Sequence, residues 1–516
     1  MNTVQNDHSD SILVFRLKIV PVCFFLFFCP KSRHEILYGD GGLKSPVKAP
    51  EPEPPKIPDV ELIVDGFGFM PKEMQRGERR RSSVYAKTKL GPKKEAKYED
   101  AEEQSSCASS TNIDVVRRYT WKTKNRMLVQ VITYGATITN ITVPDKKGIP
   151  DDVLAGFDTL EEYFQPRNPY FGATIGRYAN VIRDATMIVR PSGRMYMLSS
   201  NKGHHHYHGG NVGFDKVNWR SHVCGLKVIM SHVSERFHEG YPGTVMAQVT
   251  FEVTCDNTLK IEMRCTTTEP TIINLSNSPY FNLGGHHSGS DSMVDHIFTI
   301  NADKYTATDE EGIVTGERKV VGGTAFDFRV PRILKVMLPK IPMGGYDINF
   351  CTTRGTDQDL AFQARVLHPL TGRVLEVYSN QPGMQFYTGN LLPDPDRIVE
   401  ELPMDEEEEH KEGEEENKAK EETSPEEAGS DNSSKSSVKD EAAEEEESEG
   451  KKRFGYIPLV GKQGAIYKRH GLFCIMPQNY PDAINNKNFP NSVLNPGEEY
   501  VHRMQYKFGI LIGRYV

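Results

Sequence analysis

Alternation of apolar and polar residues is the strongest pattern along the chain. Apolar residues occupy every second position from Val245 to Val253, and the alternation resumes from Leu259 to Cys265 after a turn at Asp256-Asn257. A period of two places successive side chains on opposite faces of a strand, so these runs predict a hairpin with one buried face. A second hairpin is predicted around the turn Pro369-Leu370-Thr371-Gly372.

Strand-like sequence of this kind fills most of the chain from about Asn112 onward. The short apolar runs are separated by glycine, asparagine and proline turns, and no long helical periodicity interrupts them. Short strands at close spacing are typical of a sandwich or a barrel. The pattern therefore predicts an all-β fold.

Two regions lack this pattern and set the expected domain boundaries. Residues 1–111 include the proline-rich Ala49–Pro58 and predict a disordered tail. Residues 393–454 are dominated by Glu, Lys and Ser and predict a disordered acidic insertion, because such a segment buries too little apolar surface to offset its ordering entropy. The folded domain is expected to comprise 112–392 and 455–516.

Charge is concentrated in the insertion. Residues 401–450 contain 22 acidic and 5 basic residues, a net charge of −17, so the rest of the 516-residue chain carries −9 + 17 = +8. No basic stretch is interleaved with aromatic residues, and nucleic acid is therefore not an expected partner. The acidic segment is interpreted either as a docking site for a basic protein partner or as a solvating spacer.

The N-terminus and the cysteines bear on location. Ile19–Pro30 is apolar, but it is too short to span a membrane and no small-residue cleavage site follows it. Eight cysteines are scattered without a Cys-x-x-Cys pair, which favours reduced thiols over a disulfide framework or a zinc ribbon. We expect a cytoplasmic protein that does not associate with membranes.

Eight motifs occur in a fixed order outside the tail and the insertion. They are YGATITNITVPDKKG (134–148), YFGATIGRYAN (170–180), HGGNVGFDKVNW (208–219), NLSNSPYFNLGG (274–285), GTAFDFR (323–329), GYDINF (345–350), QPGMQFYTGN (381–390) and QNYPDAIN (478–485). Together they resemble the aldose 1-epimerase (galactose mutarotase) family over about 112–392 and 455–510. The resemblance implies a galactose mutarotase-like antiparallel β-sandwich, or supersandwich, with an open cleft for a hexose such as galactose or glucose and without a cofactor.

The residues that carry the family's chemistry are replaced in this chain. Interconverting the anomers of an aldose requires a base at the anomeric hydroxyl and an acid at the ring oxygen. The resemblance assigns the acid to a histidine position that holds Ser278 and the base to a glutamate position that holds Met476. Val181 stands where the family has an arginine. Neither a hydroxyl nor a thioether titrates near neutral pH, so we expect a catalytically impaired protein, a pseudoenzyme.

The resemblance also implies sugar contacts that persist in this chain. It assigns them to Asn180, His208, Tyr280, Asp347 and Gln385.

Three alternatives remain open at this stage. The first is an active epimerase in which His206, His286 or His287 takes the place of the missing acid. The second is a scaffold protein that binds no sugar. The third is a metal site in His204-His205-His206-Tyr207-His208, but no metal is expected because no carboxylate or cysteine at ligand spacing completes a set.

Overall fold

A computed structural model describes most of the chain, and all described residues lie in the compact unit 57–516. The described residues are 58–71, 114–189, 192–341, 344–354, 359–396, 400–401 and 454–512.

The described residues form mainly strands. In chain order these are β1 (Val60–Phe69), β2 (Val115–Thr123), β3 (Leu128–Ile132), β4 (Thr137–Pro144), β5 (Pro150–Asp152), β6 (Thr174–Ile175), β7 (Val181–Ile182), β8 (Thr186–Val189), β9 (Arg194–Met197), β10 (His206–Tyr207), β11 (Arg220–Cys224), β12 (Lys227–Ser234), β13 (Val245–Thr254), β14 (Thr258–Thr267), β15 (Thr271–Ile272), β16 (Ser276–Asn277), β17 (Tyr280–Phe281), β18 (Ile297–Ile300), β19 (Ala302–Thr308), β20 (Val314–Val320), β21 (Arg332–Ile333), β22 (Asp347–Thr352), β23 (Ala361–Leu367), β24 (Arg373–Ser379), β25 (Gly383–Tyr387), β26 (Glu400–Glu401), β27 (Phe454–Gly455), β28 (Leu459–Val460), β29 (Ile466–Tyr467), β30 (Phe473–Gln478), β31 (Val493–Leu494) and β32 (Tyr500–Ile510).

Helices are few and short in the part of the chain that the structure describes. They are α1 (Leu160–Tyr163), α2 (Gly289–Val294) and α3 (Leu334–Met337), with 3₁₀ turns at Arg183–Ala185, Phe214–Lys216, His238–Gly240, Leu338–Lys340 and Lys462–Gly464. None of these described helices is long and apolar enough to cross a membrane.

The largest sheet has nine antiparallel strands in the order β11-β12-β13-β14-β32-β24-β23-β18-β21. The hairpin predicted from the alternation is confirmed as β13 and β14, which pair from Val245↔Thr267 to Thr254↔Thr258. Asn257 in its turn has φ of 58°, a left-handed conformation that asparagine tolerates well. The second predicted hairpin is confirmed as β23 and β24.

Two further sheets complete the architecture. A six-stranded sheet has the order β17-β30-β25-β22-β19-β20, and a five-stranded sheet has the order β1-β2-β3-β4-β5. The predicted all-β class and antiparallel sandwich are therefore confirmed.

One apolar core joins the nine-stranded and six-stranded sheets. Phe298 on β18 packs against Phe386 on β25 and Phe473 on β30, with ring centroids 5.0 and 5.1 Å apart. Tyr506 on β32 donates its hydroxyl to the Ile475 carbonyl on β30. These contacts fill one face of the six-stranded sheet and leave its other face for the candidate site.

The structure corrects one part of the expected tail. Val60–Phe69, within the stretch 1–111 that we expected to be disordered, forms β1 and pairs with β2. Arg118 on β2 forms a bidentate ion pair with Asp65 at 2.6 and 3.0 Å, and its guanidinium lies over the Phe67 ring. Pairing with an existing sheet edge satisfies the backbone of this stretch despite its weak apolar pattern.

The other expected irregular regions fall outside the described residues. These regions are the apolar stretch 19–30, the remaining tail residues apart from 58–71, and nearly all of the acidic insertion. At the insertion's borders, β26 pairs with β27 through Glu400↔Gly455 and Glu401↔Phe454. The domain division itself stays a prediction.

Candidate functional site

One face of the six-stranded sheet carries three of the predicted site residues. Gln385 on β25 pairs with Met476 on β30, and two residues further along β25, Tyr387 pairs with Asp347 on β22. Because side chains alternate along a strand, these residues share a face, while neighbours such as Phe386 point into the core. The sheet register therefore assembles a floor from three separate strands. We refer to the space above this floor as the cleft.

Asp347 is the solvent-open carboxylate of this floor. Its side chain is exposed, yet protein surrounds it closely enough that burial raises its pKa above the usual value for aspartate. The Gln385 amide donates a 2.6 Å hydrogen bond to Oδ1, which favours the ionised form. Asp347 is therefore accessible to solvent and at the same time partly desolvated, as is typical of a side chain on a concave surface.

His208 and Asn180 form one wall of the cleft. The Asn180 backbone N–H donates to His208 Nδ1 at 2.9 Å, so the proton of the neutral ring lies on Nε2. Burial lowers the pKa of His208 to about 3, and the ring is neutral at physiological pH. Both residues have positive φ, 71° for Asn180 and 50° for His208, which fixes this local geometry. His208 is therefore a hydrogen-bond donor through Nε2.

Tyr207 connects the two sides of the cleft. Its ring lies 3.8 Å from the ring of His208, centroid to centroid. Burial raises its pKa well above the usual value, and the Asp347 carboxylate adds to this effect. Lys202 lies over the Tyr207 ring at 4.7 Å and also lowers the pKa of Asp347 and His208 through its charge. The structure therefore brings His208 and Asp347 to the same site.

Tyrosines line the remaining walls. Tyr280 lies edge-on to Tyr387 with centroids 6.0 Å apart, and Tyr170 packs edge-on against His208 at 4.8 Å. Burial raises the pKa of Tyr280, with contributions from Tyr387, Cys474, Tyr207 and Asp347. These phenols stay protonated at neutral pH and offer aromatic faces together with hydroxyl donors.

Ser278 and Met476 occupy the positions that the resemblance assigned to acid and base. Ser278 is 2% exposed, and its Oγ lies 3.8 Å from the Sγ of Cys474. Met476 is 5% exposed and belongs to an apolar cluster that includes Tyr280 and Cys474. Val181 is buried and pairs with Tyr207 between β7 and β10. None of these side chains carries a group that exchanges protons near pH 7.

The two buried histidines that could replace the missing acid, His206 and His286, form hydrogen bonds to other groups. His206 donates from Nδ1 to the Ser199 carbonyl at 2.7 Å and accepts at Nε2 from the Tyr241 hydroxyl at 2.6 Å. His286 bonds through Nδ1 to the Tyr467 hydroxyl at 3.0 Å, and burial lowers its pKa to about 4. Both rings are held in place by these bonds.

Sequence reasoning missed several residues of the site. Tyr387 lies two positions after Gln385, and Cys474 lies two positions before Met476, so the period of two in a strand was a signal that could have found them. No such period points to three other residues of the cleft, Tyr170, Tyr207 and Lys202, which lie there because of the path of the folded chain.

A group of side chains that could bind a metal lies next to β10, the strand that precedes His208. Asp184, His204 and His205 place one possible ligand atom each within 4.8 Å of one another. The prediction considered only ligand spacing along the sequence and did not consider a carboxylate this distant, and the expectation of no metal stays a prediction. Asp184 is 20 positions from His204 in sequence, and the fold brings it there.

These features define an antiparallel β-sandwich with a solvent-open, tyrosine-lined polar cleft on one sheet. The chain belongs to the aldose 1-epimerase family, whose model matches residues 117–507. It is 38% identical over 382 residues to the galactose mutarotase of Homo sapiens, covering 74% of this chain and 91% of that protein. It is 33% identical over 282 residues to the aldose 1-epimerase of Escherichia coli, covering 54% of this chain and 79% of that protein.

Solved structures show the same fold. The GalM/aldose epimerase homologue from C. elegans matches with a TM-score of 0.58 at 24% identity, covering 75% of this chain and 97% of that chain. Galactose 1-epimerase from Lactobacillus acidophilus matches with a TM-score of 0.55 at 20% identity, covering 80% and 98%. The galactose mutarotase-like fold implied by the motifs is thereby confirmed.

Proposed function

We propose that this protein binds a hexose such as galactose or glucose in the cleft and is impaired in interconverting its anomers. The observation that carries the proposal is the pair Ser278 and Met476, which stand where the family's acid and base are expected. General acid–base assistance supplies roughly 10²–10⁴-fold per group, so losing both groups leaves little rate above the spontaneous reaction.

The polar groups of the cleft support hexose binding. The Asp347 carboxylate accepts hydrogen bonds from hydroxyls, and the Gln385 amide orients it at 2.6 Å. His208 Nε2–H is a fixed donor on the other side, because Nδ1 already accepts from Asn180. The tyrosine faces provide surface for the apolar side of a sugar ring.

The protonation states near the replaced positions support impairment. Burial raises the pKa of the Cys474 thiol far above neutrality, so the group beside Ser278 stays protonated. With its pKa lowered to about 3, His208 lacks the protonated form that would supply an acid.

One observation favours an active epimerase with a relocated base. Asp347 is open to the cleft, and burial raises its pKa above the usual value for aspartate. In that alternative, Asp347 takes the proton of the anomeric hydroxyl and the His208 Nε2–H stabilises the ring oxygen. The rate of anomer interconversion distinguishes the active epimerase from the impaired hexose-binding protein.

The decisive experiment measures anomer interconversion by polarimetry on the purified chain with α-glucose and α-galactose. The unchanged chain is expected to stay near the spontaneous rate, and the double variant Ser278→His with Met476→Glu is expected to exceed it. Asp347→Asn, which keeps the shape but removes the base, is the control for the alternative. A family-like rate in the unchanged chain that Asp347→Asn abolishes would establish the active epimerase and overturn the proposal.

Binding is measured separately from turnover. A hexose that binds only the native state raises the thermal midpoint, by an amount that grows with its concentration. A rise with galactose or glucose but not with an equal concentration of glycerol supports the binder. No rise at tens of millimolar sugar would favour the third function, a scaffold protein that binds no sugar.

We also propose a cytoplasmic location and a protein partner for the acidic segment. The five cysteines of the described residues, Cys224, Cys255, Cys265, Cys351 and Cys474, are free thiols, which suits a reducing compartment. The net charge of −17 over 401–450 suits a basic surface. Microscopy of a tagged chain tests the location. Salt-sensitive cross-linking that is lost when 402–453 are replaced by a short linker tests the partner.

A further inference from the structure

Asp184, His204 and His205 form a cluster beside the cleft that its sugar chemistry does not use. Oδ1 of Asp184 lies 3.3 Å from Nε2 of His204 and 3.9 Å from Nδ1 of His205. Two imidazoles and a carboxylate are the ligand types that zinc and similar transition metal ions prefer. The cluster is open to solvent, since the side chains of Asp184 and His204 are each 63% exposed.

The fold builds this cluster from two paired segments. β7 and β10 pair through Ile182↔His206 and Val181↔Tyr207. Asp184 follows β7 with a φ of 53°, and His204 and His205 lie directly before β10. The pairing therefore holds the carboxylate opposite the two imidazoles, although they lie far apart in sequence.

We propose that Asp184, His204 and His205 bind a divalent transition metal ion of the Zn²⁺ class. Bonds of about 2.0–2.1 Å in a tetrahedral site place neighbouring ligand atoms roughly 3.3 Å apart. The Asp184–His204 separation already has this value, and the Asp184–His205 separation is 3.9 Å. All three ligand atoms lie within 4.8 Å of one another, so metal binding would draw the cluster closer together.

Glu311 supplies the outer support that such a site requires. Nε2 of His205 lies 3.3 Å from Oε2 of Glu311, on the side of the ring opposite Nδ1. A metal-bound histidine commonly donates its second ring N–H to a carboxylate, which fixes the ring and raises its basicity. His205 is 6% exposed and is held between these two carboxylates.

One hydrogen bond competes with the metal. The Asp184 backbone N–H donates to Nδ1 of His205 at 3.0 Å, so binding at Nδ1 exchanges this bond for a metal bond. Without metal, the same contacts amount to an ordinary surface ion pair between Asp184 and His204, which contributes little to stability. Metal affinity distinguishes the two roles.

The experiment uses the full chain, stripped of metal with a chelator and titrated with ZnCl₂ by calorimetry. We expect one Zn²⁺ per chain at this site, and His204→Ala or Asp184→Asn should weaken its binding at least about 10-fold. Both residues are exposed, and asparagine tolerates the positive φ at 184, so these variants should fold. Cobalt in place of zinc should give the visible absorption of a tetrahedral site in the unchanged chain but not in His204→Ala or Asp184→Asn.

His222→Ala is the matched control, because His222 is an exposed histidine on β11 outside the cluster. It should leave Zn²⁺ affinity and the cobalt spectrum unchanged. A chain in which 402–453 are replaced by a short linker should keep the site, which separates it from binding by the acidic segment. The proposal is overturned if the unchanged chain binds no Zn²⁺ at tens of micromolar, or if His204→Ala binds it as tightly as His222→Ala does.

Discussion

At the scale of single residues, Asp347 and Met476 place a carboxylate and a thioether on one face of a sheet. Both point to the same side of the six-stranded sheet, and Gln385 lies on the strand between theirs. Gln385 donates to Asp347 and keeps its carboxylate oriented. On its other side, the thioether of Met476 belongs to an apolar cluster. The floor can therefore hold a hydroxylated ligand while offering no proton relay at Met476.

Removing the charge of Asp347 should abolish most hexose binding. A hydrogen bond to a charged group contributes about 1.5–3 kcal/mol, which corresponds to roughly 10- to 100-fold in affinity for Asp347→Asn. The loss is read from the sugar-induced rise in thermal midpoint. Glu61→Gln is the control, since Glu61 is an exposed carboxylate on β1 in a different sheet. If the sugar raised the thermal midpoint equally in both variants, Asp347 would not be part of the binding site.

Motif order was enough to find Asp347, Gln385 and His208, because each lies in a stretch that resembles the family. Lys202 and Asp184 could not be found in this way. Lys202 reaches the cleft by folding over the Tyr207 ring, and Asp184 reaches the histidine run through the β7–β10 pairing. Contacts of this kind depend on register and loop path, which composition and spacing do not encode.

At the scale of elements, β1 shows how a stretch with weak sequence signal adds to the domain. Its residues Gly66 and Gly68 flank a shift in the register of pairing with β2. Gly68 lies so close to α1 that an added Cβ would come within 2.8 Å of Leu160 Cδ2, whereas nothing lies within 4 Å of an added Cβ at Gly66. Phe67 meets Tyr163 of α1 edge-on at 6.1 Å. β1 is therefore packed on α1 as well as paired with β2.

This packing predicts opposite effects for two neighbouring glycines. Gly68→Ala should destabilise the protein by about 1–3 kcal/mol, because the added methyl group overpacks the buried Leu160. Gly66→Ala should be neutral or stabilise by up to about 1 kcal/mol through the unfolded chain. Urea unfolding of both variants checks this pair. Indistinguishable midpoints would mean that β1 does not pack on α1 in solution.

The hairpins and β1 differ in how far burial shapes their sequences. β13 lies inside the nine-stranded sheet, and its side chains alternate between buried and more exposed positions along all ten residues. β1 is an edge strand, and none of its ten residues is fully buried. A strand that buries little side-chain surface does not need strict alternation of apolar and polar residues, so β1 could not be predicted from periodicity.

At the scale of the whole molecule, the acidic insertion leaves and re-enters the domain at one place. β26 and β27, which flank it, pair directly with each other. Replacing 402–453 with a short Gly/Ser linker should therefore preserve the fold and slightly raise the thermal midpoint, because each halving of a loop recovers about 0.6 kcal/mol of closure entropy. Calorimetry and hexose-induced stabilisation check this variant. Loss of cooperative unfolding would show that the insertion contributes to the core.

Buried neutral histidines link the stability of the whole molecule to pH. Burial lowers the pKa of His208, His296 and His502 to about 3. The acceptor nitrogen of His296 receives the Leu283 N–H at 2.9 Å, and that of His502 receives the Ser379 hydroxyl at 3.1 Å. Protonating these rings in the native state would break those bonds and bury a charge.

Whether acidification stabilises or destabilises the protein depends on which state, native or unfolded, binds more protons. The histidines of the unfolded chain have a pKa of about 6.5 and bind protons below that pH, whereas the buried histidines of the native protein stay neutral. The free energy of unfolding therefore falls as the pH drops toward 4. Asp215 and Asp482 oppose this, because burial raises the pKa of each to about 6 and their native forms bind protons between about pH 4 and 6. Burial also lowers the pKa of His232, His286 and His368 to about 4, and it raises the pKa of a third carboxyl, Asp347. The histidines therefore outnumber the opposing carboxyls, and acidification causes a net loss of stability.

The thermal midpoint should accordingly fall between pH 6.5 and 4.5, since each proton taken up on unfolding lowers the free energy of unfolding by about 1.4 kcal/mol per pH unit. Asp215→Asn should steepen this fall, because it removes one of the opposing carboxyls. Glu61→Gln, at an exposed site, should leave the slope unchanged. Scanning calorimetry at constant ionic strength measures the three profiles. A midpoint that is flat or rises on acidification would mean that the buried histidines are already protonated in the native protein, and the assignment of His208 as a neutral donor in the cleft would fail with it.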